Sequence, residues 1–516
     1  MRIFDFLSRL PSWGVHPDDH KRPAADRALR VVTLPEFLHL PLTQHVGGIA
    51  RPVVRIGDTV HKGQLLARAH GNISAPVHAP TSGRIVAIGD VHSPHPAGLT
   101  LPGITLAADG DDRWDESLEG LGDPFNADPQ QISEKVSAAG VVGMGGATFP
   151  AAVKLALGRR MKVQTLIING GECEPYLSCD DRLMRERAAD VVDGARLIAY
   201  AIGAREVRVG IENNKPEAIA AMRAAAEGFA EVHIVPVPAR YPMGSDKQLI
   251  SVLVKREVPA EGRAADAGVL VHNVGTAWAV HEAVRHGRPL VRRIVTVAGG
   301  AVRDPGNVET PLGVSVSHLI EACGGLLQAP ARLVLGGPMM GTVLPSQQAP
   351  VVKGTSGVLA LTAAEAGDQA PAPCIRCASC VDACPMGLVP HEMAAHIRAG
   401  ALDQAADQWS LTDCIGCGCC AYVCPSRIPL THHFDYAKGE LAGRERMRLR
   451  QDATKRLTAE RASRQEREAA EKAAAAAARK AAKAAEKAAA EKAKAEKAKA
   501  EQAAAEAAGS NEGATA

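Results

Sequence analysis

The sequence predicts a multidomain α/β protein that ends in a small helical, cysteine-rich domain and a polar tail. Three observations carry this. Between residues 130 and 290 short β-branched runs alternate with helical stretches, the pattern of a parallel sheet covered by helices. Between Cys374 and Pro425 one cysteine block occurs twice. From Gly443 onward arginine-rich sequence gives way to alanine, lysine and glutamate. With 516 residues the chain has room for about three or four domains.

Taken in order, residues 1–40 read as an N-terminal docking segment. Ile3, Phe4, Leu7 and Leu10 make one or two amphipathic turns, suited to a partner, a membrane or simply a packed terminus. Charges interrupt the apolar stretch, so no signal-peptide core is expected. Residues 41–110 alternate valine- and isoleucine-rich runs with glycine turns, as in Gly57-Asp58-Thr59-Val60 and Gly63-Gln64-Leu65-Leu66, an all-β pattern. This segment resembles the barrel-sandwich fold of biotinyl and lipoyl domains. The matching hairpin, Arg68 to Ser74, holds no lysine, so a swinging arm is not expected.

The α/β stretch, residues 130–290, offers strands at Thr165–Ile168, Val207–Ile211, Val232–Val235 and Val269–Val271. Helical composition falls at Ala188–Ala201 and Pro216–Glu227. A glycine-rich loop, Gly140 to Pro150, precedes a helix expected over Ala151–Leu157. Glycines there let backbone N–H groups approach a phosphate at a helix N-terminus, although a tight turn would use them equally well. Ile168-Asn169-Gly170-Gly171-Glu172-Cys173-Glu174-Pro175 follows the first strand, where open α/β sheets place ligand-contacting loops. Residues 291–345 fit a strand–turn–strand–helix module, within which Met339 and Met340 read as core gap-fillers. Residues 362–373 read as a linker.

Residues 374–440 carry the two blocks. They are Cys374-x2-Cys377-x2-Cys380-x3-Cys384-Pro385 and Cys414-x2-Cys417-x2-Cys420-x3-Cys424-Pro425. A tight triplet wraps three corners of a [4Fe-4S] cube, and the fourth cysteine ligates the cluster of the other block. Cys374, Cys377, Cys380 and Cys424 are therefore expected on one cluster, and Cys414, Cys417, Cys420 and Cys384 on the other. Structural zinc prefers two separated ligand pairs, which this spacing does not supply. Helical composition at His391–Arg398 and Ala401–Gln408 makes this a helical dicluster domain. Cys419 is out of register and reads as a spare thiol, and His391, His396, His432 and His433 as surface or packing residues. Residues 441–516 form an Ala/Lys/Glu-rich helical or disordered tail with no apolar seam, to which no chemistry is assigned.

The net charge of +2 is too small to argue for nucleic acid or an acidic membrane surface as the main partner. Clustered thiols point to a reducing compartment. No eighteen-residue apolar window occurs, so no membrane-spanning helix is expected and membrane association would run through partners.

Together, GVVGMGGATFPAAVK, INGGECEP, the N-terminal WGVHPDDHK and the doubled cysteine block resemble the RnfC (RsxC) family of ion-translocating electron-transport complexes, as far as about residue 440. The first two are also similar to the flavin- and NADH-binding subunit of respiratory complex I. The resemblance implies a Rossmann-like flavin/NADH domain over 130–290 and a ubiquitin-like SLBB module over 291–345. It implies FMN phosphate against Gly143, Gly145 and Gly146, with Lys154, Asn169, Glu172 and Asn273 reaching the flavin or its ribityl chain. Phe149 and Glu174 would correspond to residues that contact NADH. The chain departs from the complex I pattern by offering Tyr241 to Gln248 where a Glu-Glu element stands, and one asparagine, Asn273, where two stand. No acid–base catalytic residue is implied. The implied protein is a peripheral subunit on the cytoplasmic side of the inner membrane, taking electrons from NADH through FMN and two [4Fe-4S] clusters. Its partners would be the other membrane and iron–sulfur subunits and, indirectly, ferredoxin. The alternative is a non-catalytic iron–sulfur adaptor with a vestigial nucleotide pocket.

Overall fold

The computed structural model describes residues 13–260, 262–367 and 369–509. The chain divides into two units at Ala437–Lys438. Ile3, Phe4, Leu7 and Leu10, and the end of the tail from Ser510, lie outside the described residues.

At the centre of the first unit is a four-stranded parallel sheet, ordered Val232–Val237, Glu206–Glu212, Thr165–Gly170, Val269–Asn273. Its strands are near-continuous apolar runs because both faces are covered. Helices Ala188–Ile202 and Val274–His286 pack over one face with Leu166, Ile168, Val209 and Leu270 beneath them. Their axes come close because Gly194 has no Cβ, which would sit 1.8 Å from the Ala277 carbonyl oxygen. Asp246–Val254 covers the other face through Leu249, Ile250 and Leu253 on Ile167, Val269 and Val271.

The all-β segment folds as expected into an antiparallel sandwich. A sheet of Phe37–Pro41, Thr100–Ala108, Gly83–His92 and Thr59–Val60 faces a smaller one of Arg51–Pro52, Leu65–Arg68 and Val77–His78. A six-stranded mixed sheet follows, ordered Arg30–Val31, Gly306–Pro311, Arg292–Ala298, Gly357–Leu361, Arg332–Leu335, Thr342–Val343. These two parts share one apolar core, in which Leu38, Leu66, Ile85 and Leu106 belong with Val295, Val308, Leu319 and Val358.

Three expectations about boundaries change. The segment 13–40 is not free for docking: Arg30–Val31 pairs with Val308–Glu309, Phe37–Pro41 pairs with Gly103–Ala107, and Val15 bridges Tyr241. The module expected to stop at residue 345 runs on to Leu361, because Gly357–Leu361 fills the slot between Arg292–Ala298 and Arg332–Leu335. The linker begins as a short capped helix, Ala363–Ala366, whose Glu365 accepts from the Tyr176 hydroxyl and from the Gly300 N–H. Met340 is exposed rather than a core filler, whereas Met339 packs beside Cys417.

The cysteine domain is built from Ser379–Asp382, Pro390–Arg398, Leu402–Asp407, Cys419–Tyr422 and the start of a helix running Leu430–Gly509. Met393, Ile397, Leu402, Leu411 and Phe434 are buried there. In the second unit that helix is exposed over residues 444–507, as its alanine and charged composition dictates. No described helix is long and apolar enough to cross a membrane.

Candidate functional site

Each cysteine triplet winds round a cavity by alternating backbone handedness. In the first block Arg376 and Ala378 have φ of 53° and 63°; in the second Gly416 and Gly418 have 68° and 79°. This turns backbone N–H groups toward sulfur: Arg376 donates to Cys374 Sγ and Gly416 to Cys414 Sγ, each at 3.4 Å. A short helix then presents the third thiol, and the proline after the fourth cysteine turns the chain away. One cavity is lined by Cys374, Cys377, Cys380 and, from the other block, Cys424. The second is lined by Cys414, Cys417, Cys420 and, from the first block, Cys384. Four thiols per cavity, N–H groups aimed at sulfur and otherwise mainly apolar walls make a donor set that fits an iron–sulfur cluster. Burial pushes the Cys380 and Cys420 thiols up, so loading a metal there releases protons. His391 comes to 3.8 Å of Cys380 Sγ, and His396 packs on Trp409. Cys419 is fully buried against Tyr241 and lines the second cavity beside Cys420.

The second centre lies at the carboxyl ends of the parallel strands. Gly143 donates to the Phe149 carbonyl at 2.8 Å, closing the glycine loop, and the Met144 N–H donates to Thr276 Oγ1 at 3.0 Å. Between these ties Gly145 and Gly146 are exposed, and helix Ala151–Arg160 starts directly behind them with no side-chain cap. A Cβ on Gly145 would lie 3.5 Å from Asn273 Cβ, and one on Gly146 (φ 123°) would project into open space. Bare backbone facing open space before an uncapped helix N-terminus is a fit for a phosphate. Phe149 is half-buried at the end of the loop.

The other expected contacts gather at the same edge, and most are already engaged. Asn169 donates to the Gly244 carbonyl at 2.8 Å and accepts from Gly171. Asn273 caps Val274–His286 and donates to Asp180 at 2.6 Å. Lys154 donates to the Val271 carbonyl, with burial holding its pKa below the usual range. The buried Glu172 carboxylate accepts from the N–H groups of Asp180 and Asp181, capping Cys179–Glu186. Glu174 accepts from Met339 N–H at 3.0 Å and Met340 N–H at 2.9 Å, and burial pushes its carboxyl up to about 7. Burial and the neighbouring Glu172 likewise raise Asp180 to about 7.

Sequence reasoning missed several residues here. Lys21 and Lys215 both donate to the Glu172 carbonyl, and buried His272 has neither ring nitrogen paired. Arg293 is buried, donates to the Thr355 carbonyl and the Met144 sulfur, and burial lowers its pKa. The HPDDHK string was a signal for Lys21; a single arginine in a strand gave none.

The two centres adjoin. Tyr241 Oη donates to the Cys417 carbonyl at 2.6 Å, and Gln248 donates to the Pro385 carbonyl at 2.9 Å. Cys173, Tyr241, Met339, Cys417 and Cys419 share one apolar cluster. The cavity of Cys414, Cys417, Cys420 and Cys384 is thus the inner one. The other opens outward, with Cys374 and Cys377 exposed and Ile375 68% exposed.

Comparison with known proteins places these parts in families. Residues 136–282 match the Nuo51 FMN-binding domain, 12–111 the RnfC barrel sandwich hybrid domain, 294–343 the SLBB domain and 368–425 the 4Fe-4S dicluster domain. The chain is 50% identical over 436 residues to the C-subunit of the ion-translocating oxidoreductase complex of Rhodobacter capsulatus, covering 84% of this chain and 83% of that protein. It is 39% identical over 432 residues to the C-subunit of the proton-translocating ferredoxin:NAD(+) oxidoreductase complex of Clostridium ljungdahlii (83% and 93% covered). Against the ion-translocating C-subunit of Pseudomonas aeruginosa the identity is 44% over 431 residues, 83% of this chain and 55% of that one. The multidomain α/β architecture, the FMN domain and the two-cluster domain are therefore those of an electron-transfer subunit.

Proposed function

Because this chain belongs to the C-subunit (RnfC) family of ion-translocating oxidoreductase complexes, we propose that it is the point where NADH electrons enter such a complex. It would sit peripherally on the cytoplasmic face, held by other subunits, and pass electrons onward through them to ferredoxin. Bound there, FMN would supply the conversion of a two-electron hydride transfer into single-electron transfers to iron–sulfur clusters.

The chain's residues hold the parts. Gly143, Gly145 and Gly146 with the start of Ala151–Arg160 would take the FMN phosphate; Lys154, Asn169 and Asn273 would border the flavin, and Phe149 and Glu174 the nicotinamide nucleotide. Glu172 supports this edge from behind, since its carboxylate caps Cys179–Glu186. Cys384, Cys414, Cys417 and Cys420 would ligate the inner cluster, and Cys374, Cys377, Cys380 and Cys424 the outer one. Electrons would leave from the exposed side near Ile375. The observation that carries this reading is the packing of the inner cysteine cavity directly on the strand-end loops, through Tyr241 Oη on the Cys417 carbonyl at 2.6 Å.

The test is anaerobic reconstitution of the full chain, with iron, sulfide and FMN counted and NADH-driven cluster reduction followed by EPR. About eight iron per chain with NADH-reducible clusters is expected. Clusters without bound flavin, inert to NADH, would favour the adaptor instead.

A further inference from the structure

We infer that Lys21 is a positioning residue for electron transfer between the nucleotide cleft and the inner cysteine cavity. Its ammonium fills a cage of three carbonyls that fixes the turn Glu172–Leu177. The inference deepens the function proposed above and rests on it.

The carbonyl oxygens of Glu172, Glu174 and Leu177 converge on one point, where Lys21 Nζ lies 2.9, 2.9 and 2.5 Å from them. Lys21 is 7% exposed, and its three N–H donors meet three acceptors, the full capacity of a lysine ammonium. Converging carbonyls repel each other unless a cation or donor sits between them. Lys215 reaches only the Glu172 oxygen, at 3.4 Å, and its ammonium is engaged by Glu212 at 2.5 Å. The turn is also under backbone strain: Tyr176 has φ of 67°. The segment bearing Lys21 holds that residue as well, with Asp19 O accepting from Tyr176 N–H at 2.7 Å and the His20 ring stacked on Tyr176 at 4.9 Å.

The same segment reaches the inner cavity from two sides. Gly14 N–H donates to the carbonyl of Ala383, next to Cys384, at 3.1 Å. Val15 exchanges backbone bonds of 2.9 and 3.0 Å with Tyr241, whose hydroxyl holds the Cys417 carbonyl. Trp13–Lys21 is thus a strap with Lys21 anchored on the nucleotide side and Gly14 and Val15 on the metal side. The turn it anchors carries Cys173, which packs with Cys417, and Glu174, which fixes Met339. Electron transfer falls off exponentially with the gap to be crossed. A turn that relaxes by a fraction of its own width therefore slows that crossing far more than hydride delivery, whose phosphate site is formed by the separate glycine loop.

The experiment uses the full chain reconstituted anaerobically with iron, sulfide and FMN, as wild type, Lys21→Ala and Lys21→Arg. Stopped-flow mixing with NADH follows flavin bleaching and cluster reduction separately. For Lys21→Ala the expected result is flavin bleaching within about threefold of wild type and cluster reduction slowed at least about tenfold. n-Propylammonium, the fragment removed, should restore cluster reduction, and 1-propanol, its neutral counterpart, should not. Lys21→Arg should stay slow, because the planar guanidinium does not fit a cage built for a point charge. Should Lys21→Ala not fold, Lys21→Met, which keeps the length and loses the charge, takes the same split measurement. Cluster reduction at the wild-type rate, or both steps falling together without rescue, overturns the inference. Melting of cofactor-free protein gives a second readout: n-propylammonium should raise the Tm of Lys21→Ala and not of wild type, and no such shift overturns the cage. If wild-type flavin proves inert to NADH, the functional proposal falls, and the cage is judged on the melting shift alone.

Discussion

Replacing Lys353 with methionine should remove a rise in stability between pH 7 and pH 9. Lys353 is wholly buried, and its Nζ donates to the Pro76 carbonyl at 2.8 Å and the Gly140 carbonyl at 2.6 Å. It thereby joins the β-sandwich to the residue that opens the glycine loop. Burial lowers its pKa from 10.5 to about 7. The unfolded chain binds the proton more tightly, so between these values unfolding takes up a proton and stability rises with pH. The penalty is at its full size below pH 7 and gone above the unfolded value. Linkage over pH 7 to 9 gives a gain of about 2 kcal/mol. The titratable neighbours do not mask it: burial holds His78 at about 3 and lowers His45, so both are neutral in this window. Methionine removes the titration, while orphaning two carbonyls at about 1–3 kcal/mol each. The absolute stability of the variant mixes these effects; the slope isolates the first. For the unit Met1–Ala437, an unfolding entropy of about 2 cal/mol/K per residue lets each kcal/mol move the Tm by about 1 °C. The wild-type Tm should therefore gain about 2 °C on Lys353→Met between pH 7 and 9, read by near-UV circular dichroism at fixed cofactor content. A gap constant to within about 0.5 °C would refute a buried, titrating ammonium at this joint.

Other outcomes follow from the site. With its carboxyl at about 7, Glu174 ionises near neutrality. A raised carboxyl pKa stabilises the fold below the ordinary value of 4.5, and that contribution is lost as pH rises through 7. Glu174→Gln should abolish an inflection near pH 7 in the rate of NADH-driven flavin reduction; an unchanged profile places that titration elsewhere. Cys384→Ser and Cys424→Ser should each lower iron from about eight to about four per chain. If ligation crosses between the blocks, the EPR signal surviving in Cys424→Ser is that of the inner cluster. Gly146→Val puts a branched side chain at φ 123° in the space before Ala151–Arg160. FMN content should fall by about tenfold or more while far-UV circular dichroism stays unchanged, and flavin retained in full would move the phosphate elsewhere.

What the sequence made legible was whatever repeats or stays local. The strands at Thr165, Val207, Val232 and Val269 were visible because a sheet buried on both faces writes itself as β-branched runs. The helix expected at Ala188–Ala201 ends one residue later, at Ile202, where Gly203 (φ 74°) supplies the left-handed stop. The two cysteine blocks were visible because their spacing is local, and the exposure of the tail helix over residues 444–507 because its composition offers no apolar face. Boundaries were less legible: Gly357–Leu361 looks like any apolar run until its slot in the mixed sheet is known.

The sequence by itself determined the domain types and the cofactor classes. Only tertiary structure decided that Lys21 closes on a turn 151 residues away, that Lys353 bridges two domains, and that one cysteine cavity is inner and the other exposed. The physical reason is that hydrogen-bond partners and burial belong to positions in space. A lysine reads the same on a solvated surface as inside a ring of carbonyls, and only the fold tells the two apart.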